Sequence, residues 1–415
     1  MTSLGSSRCL SARRPGFAGS GCPPGPETQL KIGRARAALL LMKLPRSTSR
    51  RSFLGRISVG AATLALASRA RAQVPAEPRK LGVALIGLGN YSTGQLAPAL
   101  RLTQHCKLAG VVTGSREKGL QWAKEFGFPE KNIYNYDNMA RMVDNPDIDI
   151  AYVVTPNALH PQHAIAAAWA GKHVICEKPM ANSVAECNAM LSACRVAGVK
   201  LSIGYRLHFD PQHQEMMRMA RDSAVGPFRT MSGGLAFPIR RRVWRVEKKM
   251  AGGGPLMDVG IYCVQAACMA AGVGHGGDTT IAITAREHPK TRPEFFLDVE
   301  EGLDWTMEFA NGARAELTTS YEKGMDRFRA EGPNGWIEFA PAFAYGGLKV
   351  TTHRGPLNIP VPQSQQAVQI DDFALCVRDD KPTRVPGELG RRDMVIVEAI
   401  YKSAAARGQR IEVKV

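Results

Sequence analysis

The chain predicts an α/β fold in two parts: an N-terminal doubly wound domain on a parallel sheet, and a C-terminal α+β domain built on a large, mostly antiparallel sheet. Three observations carry this. Between Leu81 and Tyr205, short continuously apolar runs alternate with amphipathic segments, as strands covered on both faces by helices do. After Asp210 that rhythm gives way to closely spaced β-rich runs. A chain of 415 residues, 44% of them hydrophobic, also holds enough for two cores.

In chain order, Leu81–Ile86 reads as a strand, Thr93–Leu102 as a helix and Lys107–Thr113 as a strand. Lys118–Phe126 and Tyr136–Val143 read as helices, Ile150–Val154 as a strand and His160–Ala170 as a helix. His173–Cys176 (strand), Ser183–Ala197 (helix) and Leu201–Tyr205 (strand) complete the first domain. Beyond it, one helix, Leu256–Ala271, precedes strands around Thr279–Arg286, Leu303–Phe309, Ala313–Thr319, Trp336–Phe339 and Leu348–Thr352. Helices Gln366–Arg378 and Leu389–Ala406 close the chain. The division is therefore a leader over residues 1–72, a first domain over 73–205 and a second over 206–415.

The net charge of +17 is concentrated in the leader. Residues 1–72 hold 13 of the 54 Lys and Arg but one of the 37 Asp and Glu, which leaves 41 against 36, a net +5, for the rest. A body so balanced lacks the basic surface of a nucleic-acid binder. No stretch of 18 apolar residues offers a membrane span. Ser49-Arg50-Arg51-Ser52-Phe53-Leu54 is a twin-arginine signature, followed by a mild apolar run from Ile57 to Ala67 and a small-x-small cleavage site, Ala70-Arg71-Ala72. An arginine pair in a basic tail arises by chance; the ordered succession of pair, apolar run and cleavage site seldom does. The expected destination is the periplasm, reached by the already folded protein, with translation starting at Met1 or Met42. Seven of the nine cysteines lie beyond the leader, an odd number with no C-x-x-C pair, so neither a disulfide framework nor a metal site is expected.

Gly87-Leu88-Gly89-Asn90-Tyr91-Ser92 follows the first strand and opens a helix, which is the Rossmann arrangement for a dinucleotide. A pyrophosphate there meets exposed main-chain N–H groups and the positive helix end. Ser92 stands where the fingerprint has its third glycine, with Gly94 two residues on. At the tip of the second strand, where an NAD enzyme carries Asp or Glu for the ribose 2′-hydroxyl, this chain has Thr113-Gly114-Ser115-Arg116-Glu117-Lys118. The hydroxyls of Thr113 and Ser115 and the cations of Arg116 and Lys118 would welcome a 2′-phosphate, so the expected cofactor is NADP. The plainer alternative is a solvated loop with incidental charge.

Glu177-Lys178-Pro179 follows the strand His173–Cys176, at the carboxyl edge where open α/β sheets place ligands. A lysine there orients a substrate hydroxyl by charge and hydrogen bond. In the second domain, the run from Ala251 to Tyr262 opens a helix with three glycines, and Asp258 and Tyr262, four apart, share a face. Oxidation of an alcohol needs a base for the hydroxyl proton while hydride leaves the same carbon. A tyrosine, with an ordinary pKa near about 10, serves when a cation stands beside it, and Lys178 is such a cation. The bland alternative is a tyrosine in a core helix bonded to Asp258.

These residues resemble the glucose–fructose oxidoreductase-like branch of the Gfo/Idh/MocA oxidoreductase family, which also contains inositol dehydrogenase. The likeness runs from Leu81 to Val413 and covers Gly87-Leu88-Gly89 with Tyr91, Glu177-Lys178-Pro179, Ile203-Gly204-Tyr205-Arg206 with His208 and Asp210-Pro211, Trp244-Arg245, and Ala251 through Tyr262. Tyrosine at the end of Asp-x-x-x-Tyr, where inositol-type enzymes carry histidine, points to the sugar oxidoreductase branch. The resemblance implies that Lys178, Asp258 and Tyr262 form the catalytic group, with Tyr262 the acid/base. It also implies that Trp244, Arg245, Arg206 and Tyr345 contact cofactor or sugar, and that Thr155-Pro156-Asn157 passes beneath the nicotinamide ribose, with His160 and Glu177 in the same cofactor-binding set. A homo-oligomer, dimer or tetramer through the C-terminal sheet, is implied too. Two departures stand out. The branch has a long proline-rich arm around a neighbour's cofactor, and here only Gln73 to Lys80 separates cleavage site from first strand. Met231–Val243 is also more basic than glucose and fructose call for, so other aldoses or sugar acids fit it.

Three readings fit these residues: an exported enzyme that oxidises one sugar to its lactone and reduces another with the same bound NADP, an ordinary dehydrogenase with diffusible NADP, and a sugar-sensing protein without turnover. The third is free to lose Lys178 or Tyr262, and this chain keeps both. Replacing Arg50 and Arg51 together by Lys should strand active enzyme in the cytoplasm; periplasmic activity unchanged on osmotic-shock fractionation would remove the export reading.

Overall fold

The computed structural model describes residues 79–222, 225–273 and 278–415; the twin-arginine signature, the cleavage site and most of the short arm after it lie outside the described residues. Strands β1 (Leu81–Ile86), β2 (Cys106–Val112), β3 (Ile133–Tyr134), β4 (Ile150–Val153), β5 (His173–Cys176) and β6 (Leu201–Ile203) form a wholly parallel sheet in the order β3-β2-β1-β4-β5-β6. Val83 to Ile86 of β1 are 0% exposed, because a strand without a polar face must be covered on both sides. Helices α1 (Ala97–Leu102) and α2 (Arg116–Phe126) cover Val83 and Leu85, whereas α3 (His160–Trp169) and α4 (Val184–Val196) cover Ala84 and Ile86. Each fully buried aliphatic side chain contributes about 1.5–3 kcal/mol of hydrophobic stabilisation.

Local chemistry sets the helix ends. The Ser115 hydroxyl accepts from the Lys118 N–H to start α2, and Gly127 stops it in the left-handed conformation at φ +73°. Ser183 caps α4 by accepting from the Glu186 N–H, and the Glu186 carboxylate accepts from the Asn182 N–H.

The second domain places α5 (Pro211–Met219), β7 (Thr230–Ala236), α6 (Lys248–Ala251), α7 (Ile261–Ala271), β8 (Thr280–Glu287), β9 (Gly302–Phe309), β10 (Arg314–Ser320), β11 (Met325–Gly332), β12 (Gly335–Phe339), β13 (Val350–Thr352), β14 (Gly355–Pro356), α8 (Gln365–Arg378), α9 (Gly387–Ala405) and β15 (Ile411–Lys414). Its sheet runs β14-β13-β12-β11-β7-β10-β9-β8-β15, with β7 and β10 as its parallel pair and the other pairs antiparallel. Leu303, Trp305, Met307 and Phe309 of β9 face inward, and the same core continues through α7 and α9 to α3 and α4 of the first domain. The run Lys248–Ala271 is long and apolar enough to cross a bilayer, yet 83% of its apolar window is buried in this core. An apolar helix so enclosed reads as the centre of a folded domain.

Four features differ from the sequence expectation. Tyr136–Val143 is not an α-helix: the Asn135 side chain accepts from the Asp137 and Asn138 N–H groups, and the chain then enters a 3₁₀ stretch, Met139–Asp144. Strand β7 escapes a propensity reading through Gly233 and Gly234, where an added Cβ would meet the Phe328 and Thr318 chains of adjacent strands. Strand β11 is masked by four charges flanking Phe328 and Ala330. Helix α8, counted with residues 206–415, packs Ala367, Ile370, Phe373 and Ala374 onto the β1–β2 face of the first sheet. Asp371 fixes it there, accepting from the N–H groups of Gln104 and His105 at 2.7 and 2.8 Å. The short α1 leaves apolar sheet uncovered, and α8 returns to cover it. Phe373 is 1% exposed, so Phe373→Ala should cost about 3–5 kcal/mol in a denaturant titration. A loss under about 1 kcal/mol would show that α8 adds little to this core.

Candidate active site

The site begins where the parallel strands end. The turns after β1, β4, β5 and β6 emerge at one edge of the sheet, beside the point where strand order reverses. Gly87, at φ +101°, lies against Val154 and Thr155 of the β4 turn, where a Cβ would come within 3.0 Å of the Thr155 side chain. The Glu177 N–H donates to the Val153 carbonyl at 2.9 Å, which draws the β5 turn against the β4 end. Gly204 in turn abuts the Glu177 carboxylate, which an added Cβ would approach to 2.6 Å.

From the second domain, Asp258 and Tyr262 reach this edge. They stand on a π-helical turn, Leu256–Gly260, and on the first turn of α7. A second π-turn, Ser92–Leu96, follows Tyr91 at the helix after β1, so both helices that face the site open in this wider winding. The buried Glu300 sets the position of the Asp258 turn: its carboxylate accepts from the N–H groups of Gly254 and Leu256 at 2.9 and 3.0 Å and from the Tyr401 hydroxyl at 3.0 Å. Burial pushes its pKa up, against these three bonds.

Lys178, Asp258 and Tyr262 meet over one cavity of about 650 Å³ between the two domains. The Lys178 ammonium donates to the Asp258 main-chain oxygen at 2.6 Å, lies 3.9 Å from its carboxylate and 4.8 Å from the centre of the Tyr262 ring. The other carboxylate oxygen of Asp258 accepts from the Tyr321 hydroxyl at 2.9 Å and pairs with Arg245 at 3.2 Å. Arg245 also lies over the Trp244 ring at 4.6 Å. Tyr345, 47% exposed, stands at the rim, 6.0 Å from Tyr91 ring to ring.

Other residues expected to touch a ligand line the same cavity and also brace it. Both ring nitrogens of His160 face main-chain oxygens, of Pro179 at 2.9 Å and Thr155 at 2.8 Å, tying the β4 turn to the Glu-Lys-Pro segment. Burial lowers its pKa to about 4. Arg206 binds the Gln365 side chain at 2.6 Å and the carbonyls of Phe343 and Ala344, while its guanidinium packs 4.9 Å over Tyr262 and 4.5 Å over Tyr345. Asn157 donates to the Ala251 carbonyl at 2.9 Å, bridging the domains just before the glycine run, and Thr155 bonds His163. Glu177 accepts from the Tyr152 hydroxyl at 2.8 Å and from the Lys178 N–H, and burial pushes its pKa up. Tyr321, Glu300 and Tyr152 were not legible in sequence. Tyr321 lies 63 residues from the Asp258 it holds, and no local pattern connects them.

Tyr91 lines this cavity, while Gly87 to Asn90 of the glycine turn and the β2 tip lie outside its lining, along the same sheet edge. An added Cβ at Gly89 would meet nothing within 4 Å, so the turn exposes bare backbone at a helix start, as a pyrophosphate requires. Asn90 opens that helix, and Leu88 offers its carbonyl to the Lys118 ammonium. Lys118 thus binds the turn rather than projecting from the tip. Thr113 is buried and its hydroxyl accepts from the Ser115 N–H at 3.2 Å, while Arg116 projects outward, 3.5 Å from Glu130. Pro156 sets the turn before Asn157.

Residues 81–205 match an oxidoreductase family with an NAD-binding Rossmann fold, and residues 213–338 match the GFO/IDH/MocA C-terminal domain. A solved aldose-aldose oxidoreductase from Caulobacter crescentus is 39% identical with a TM-score of 0.77, over 81% of this chain and 100% of that one. The NADP(+) D-xylose 1-dehydrogenase of Haloarcula marismortui is 26% identical over 332 residues, 77% of this chain and 90% of its own. The 1,5-anhydro-D-fructose reductase of Ensifer adhaerens is 25% identical over 338 residues, 80% and 98% respectively. With both domains matched and a 39%-identical relative spanned along its whole length, the chain belongs to the GFO/IDH/MocA family of oxidoreductases.

Proposed function

We propose that the protein is an exported, NADP-dependent sugar oxidoreductase that oxidises an aldose to its lactone and reduces a second sugar with the same bound cofactor. The observation that carries the reading is the meeting of Lys178, Asp258 and Tyr262 over a cavity beside the switch point of the parallel sheet. Support comes from the aldose-aldose oxidoreductase likeness and from relatives that act on D-xylose and 1,5-anhydro-D-fructose. For NADP, the support is a β2 tip without a carboxylate at Thr113 to Arg116 and the NADP(+) named for the xylose enzyme. Export rests on the twin-arginine signature. Self-association would use the outer face of the nine-stranded sheet, where Asp304, Arg314 and Glu316 stand exposed.

When bound, NADP would supply the hydride chemistry at the reacting carbon, and the bare backbone at Gly89 with the Thr113 to Arg116 tip would hold it. The chain manages the proton. Tyr262 takes it from the anomeric hydroxyl during oxidation and gives it back to the carbonyl oxygen of the second sugar. Lys178 donates from its ammonium to the same substrate oxygen, fixing it beside the phenol. Asp258 has its carboxylate engaged by Tyr321 and Arg245, so it anchors the cations and leaves proton transfer to Tyr262. Arg206 adds positive charge over the ring.

Tyr262→Phe should leave NADP binding intact and lower kcat by roughly 10²–10⁴-fold, the share of a general acid/base. Near-normal turnover would move the proton to another group. Shared use of one cofactor makes the order ping-pong, because the lactone leaves before the second sugar enters. Purified protein without added NADP should therefore convert an aldose and a second sugar through many turnovers, with parallel double-reciprocal lines. If turnover stops after one equivalent and resumes only with added NADP, the protein is an ordinary dehydrogenase.

A further inference from the structure

Charge in the cavity is unbalanced. Five cations line it, Lys178, Arg206, Arg240, Arg241 and Arg245, against two carboxylates, Glu177 and Asp258. Three of the five are committed: Arg206 to Gln365 and two carbonyls, Lys178 and Arg245 to Asp258. Arg240 and Arg241 are exposed and make no ion pair or side-chain hydrogen bond among the described residues. Arginines left over on an outer surface are solvated and mean little; these two stand on the wall of the cavity that holds Lys178 and Tyr262.

The backbone that carries them is fixed. The Phe237 N–H donates to the Ser320 carbonyl at 3.1 Å and the Ile239 N–H to the Tyr321 carbonyl at 3.0 Å. The Ile239 carbonyl accepts from Arg292 at 2.9 Å, and the Ile239 side chain is buried beside Phe296 and Tyr321. Tyr321 therefore holds Asp258 through its hydroxyl and the arginine segment through its carbonyl, which sets both at a constant separation. The carboxylate beneath that segment, Glu301, is already satisfied by Arg292 and Thr291. The cofactor's phosphates do not account for the two arginines, since Gly87 to Asn90 and the β2 tip are not part of this cavity's lining, which takes in Tyr91 from the glycine turn.

We propose that Arg240 and Arg241 read a negative charge on the substrate: an aldose with a carboxylate or phosphate at the end remote from its anomeric carbon. The inference rests on the sugar-oxidoreductase reading of the same site. A planar guanidinium matches either oxyanion with two parallel hydrogen bonds, and partial enclosure by the cavity strengthens them over what bulk water allows.

The test titrates full-length, NADP-loaded protein by calorimetry with a hexuronate, an aldose 6-phosphate and the neutral aldose of the same configuration. Rates with each are followed through nicotinamide absorbance. An anionic sugar should bind about tenfold or more tighter than the neutral one, with the preference shrinking as salt rises. Whichever of the hexuronate and the phosphate binds tighter identifies the anion. The variant R240Q/R241Q should weaken anionic-sugar binding about tenfold more than neutral-sugar binding, and hold the NADP Kd within about twofold. A wild-type protein that binds the neutral aldose as tightly overturns the inference, and so does a variant that loses NADP affinity, since the arginines would then belong to the cofactor. If the neutral aldose reduces the cofactor and both anionic sugars fail, only this inference falls. If no sugar of either charge binds or reduces it, the sugar-oxidoreductase reading falls as well.

Discussion

Asp258 gathers the polar groups of both domains around a single carboxyl-bearing residue: Lys178 from the parallel-sheet edge bonds its main-chain oxygen, while Arg245 and Tyr321 share one side-chain oxygen. Each partner depends on it. A lysine and an arginine brought this close repel one another, and the carboxylate between them makes the arrangement favourable. Tyr321, fully buried, gains in Asp258 the acceptor without which its hydroxyl would be stranded. The turn that presents Asp258 is itself held by Glu300, so a buried acid positions a partly exposed one. Removing the Asp258 carboxylate would therefore disturb Lys178, Arg245 and Tyr321 at once.

The same logic runs beneath the first domain's contribution. Glu177 is buried beside Lys178 and is stabilised by Tyr152 and by the Lys178 N–H. Gly204 is small because the carboxylate lies where a Cβ would be. His160 ties the Pro179 carbonyl to the Thr155 carbonyl, and Arg206 ties the second domain's 343–344 segment to the floor under Tyr262. Motif residues of this kind hold Lys178 and Tyr262 in place over the cavity.

Division of labour between the domains follows from their sheets. The parallel sheet brings four turns to one edge and offers a helix start to phosphates. The nine-stranded sheet supplies the wall that carries Tyr321 and, through main-chain bonds to it, the segment from Phe237 to Arg240. Helix α8 covers the first sheet although it lies late in the chain, and its Gln365 also bonds Arg206. The second domain thus contributes both a wall of the cavity and, through α8, part of the cover of the first sheet.

The sequence by itself determined the strands β1, β2, β4 and β5 almost to the residue, because an apolar run between amphipathic helices has few other conformations open to it. It also singled out the glycine turn, Glu177-Lys178-Pro179 and the Asp258–Tyr262 pair, since each is a local pattern whose spacing carries its chemistry. Tertiary structure alone decided how the polar residues around the cavity are held. Lys118, Arg206 and His160 look like ligand-binding residues by type, and each also bonds carbonyl oxygens that no local pattern marks: Lys118 that of Leu88, Arg206 those of Phe343 and Ala344, His160 those of Thr155 and Pro179. Tyr321, Glu300 and the docking of α8 on the first sheet were invisible for the complementary reason: their roles arise from contacts across tens to hundreds of residues, and local periodicity cannot encode a partner that only folding brings near.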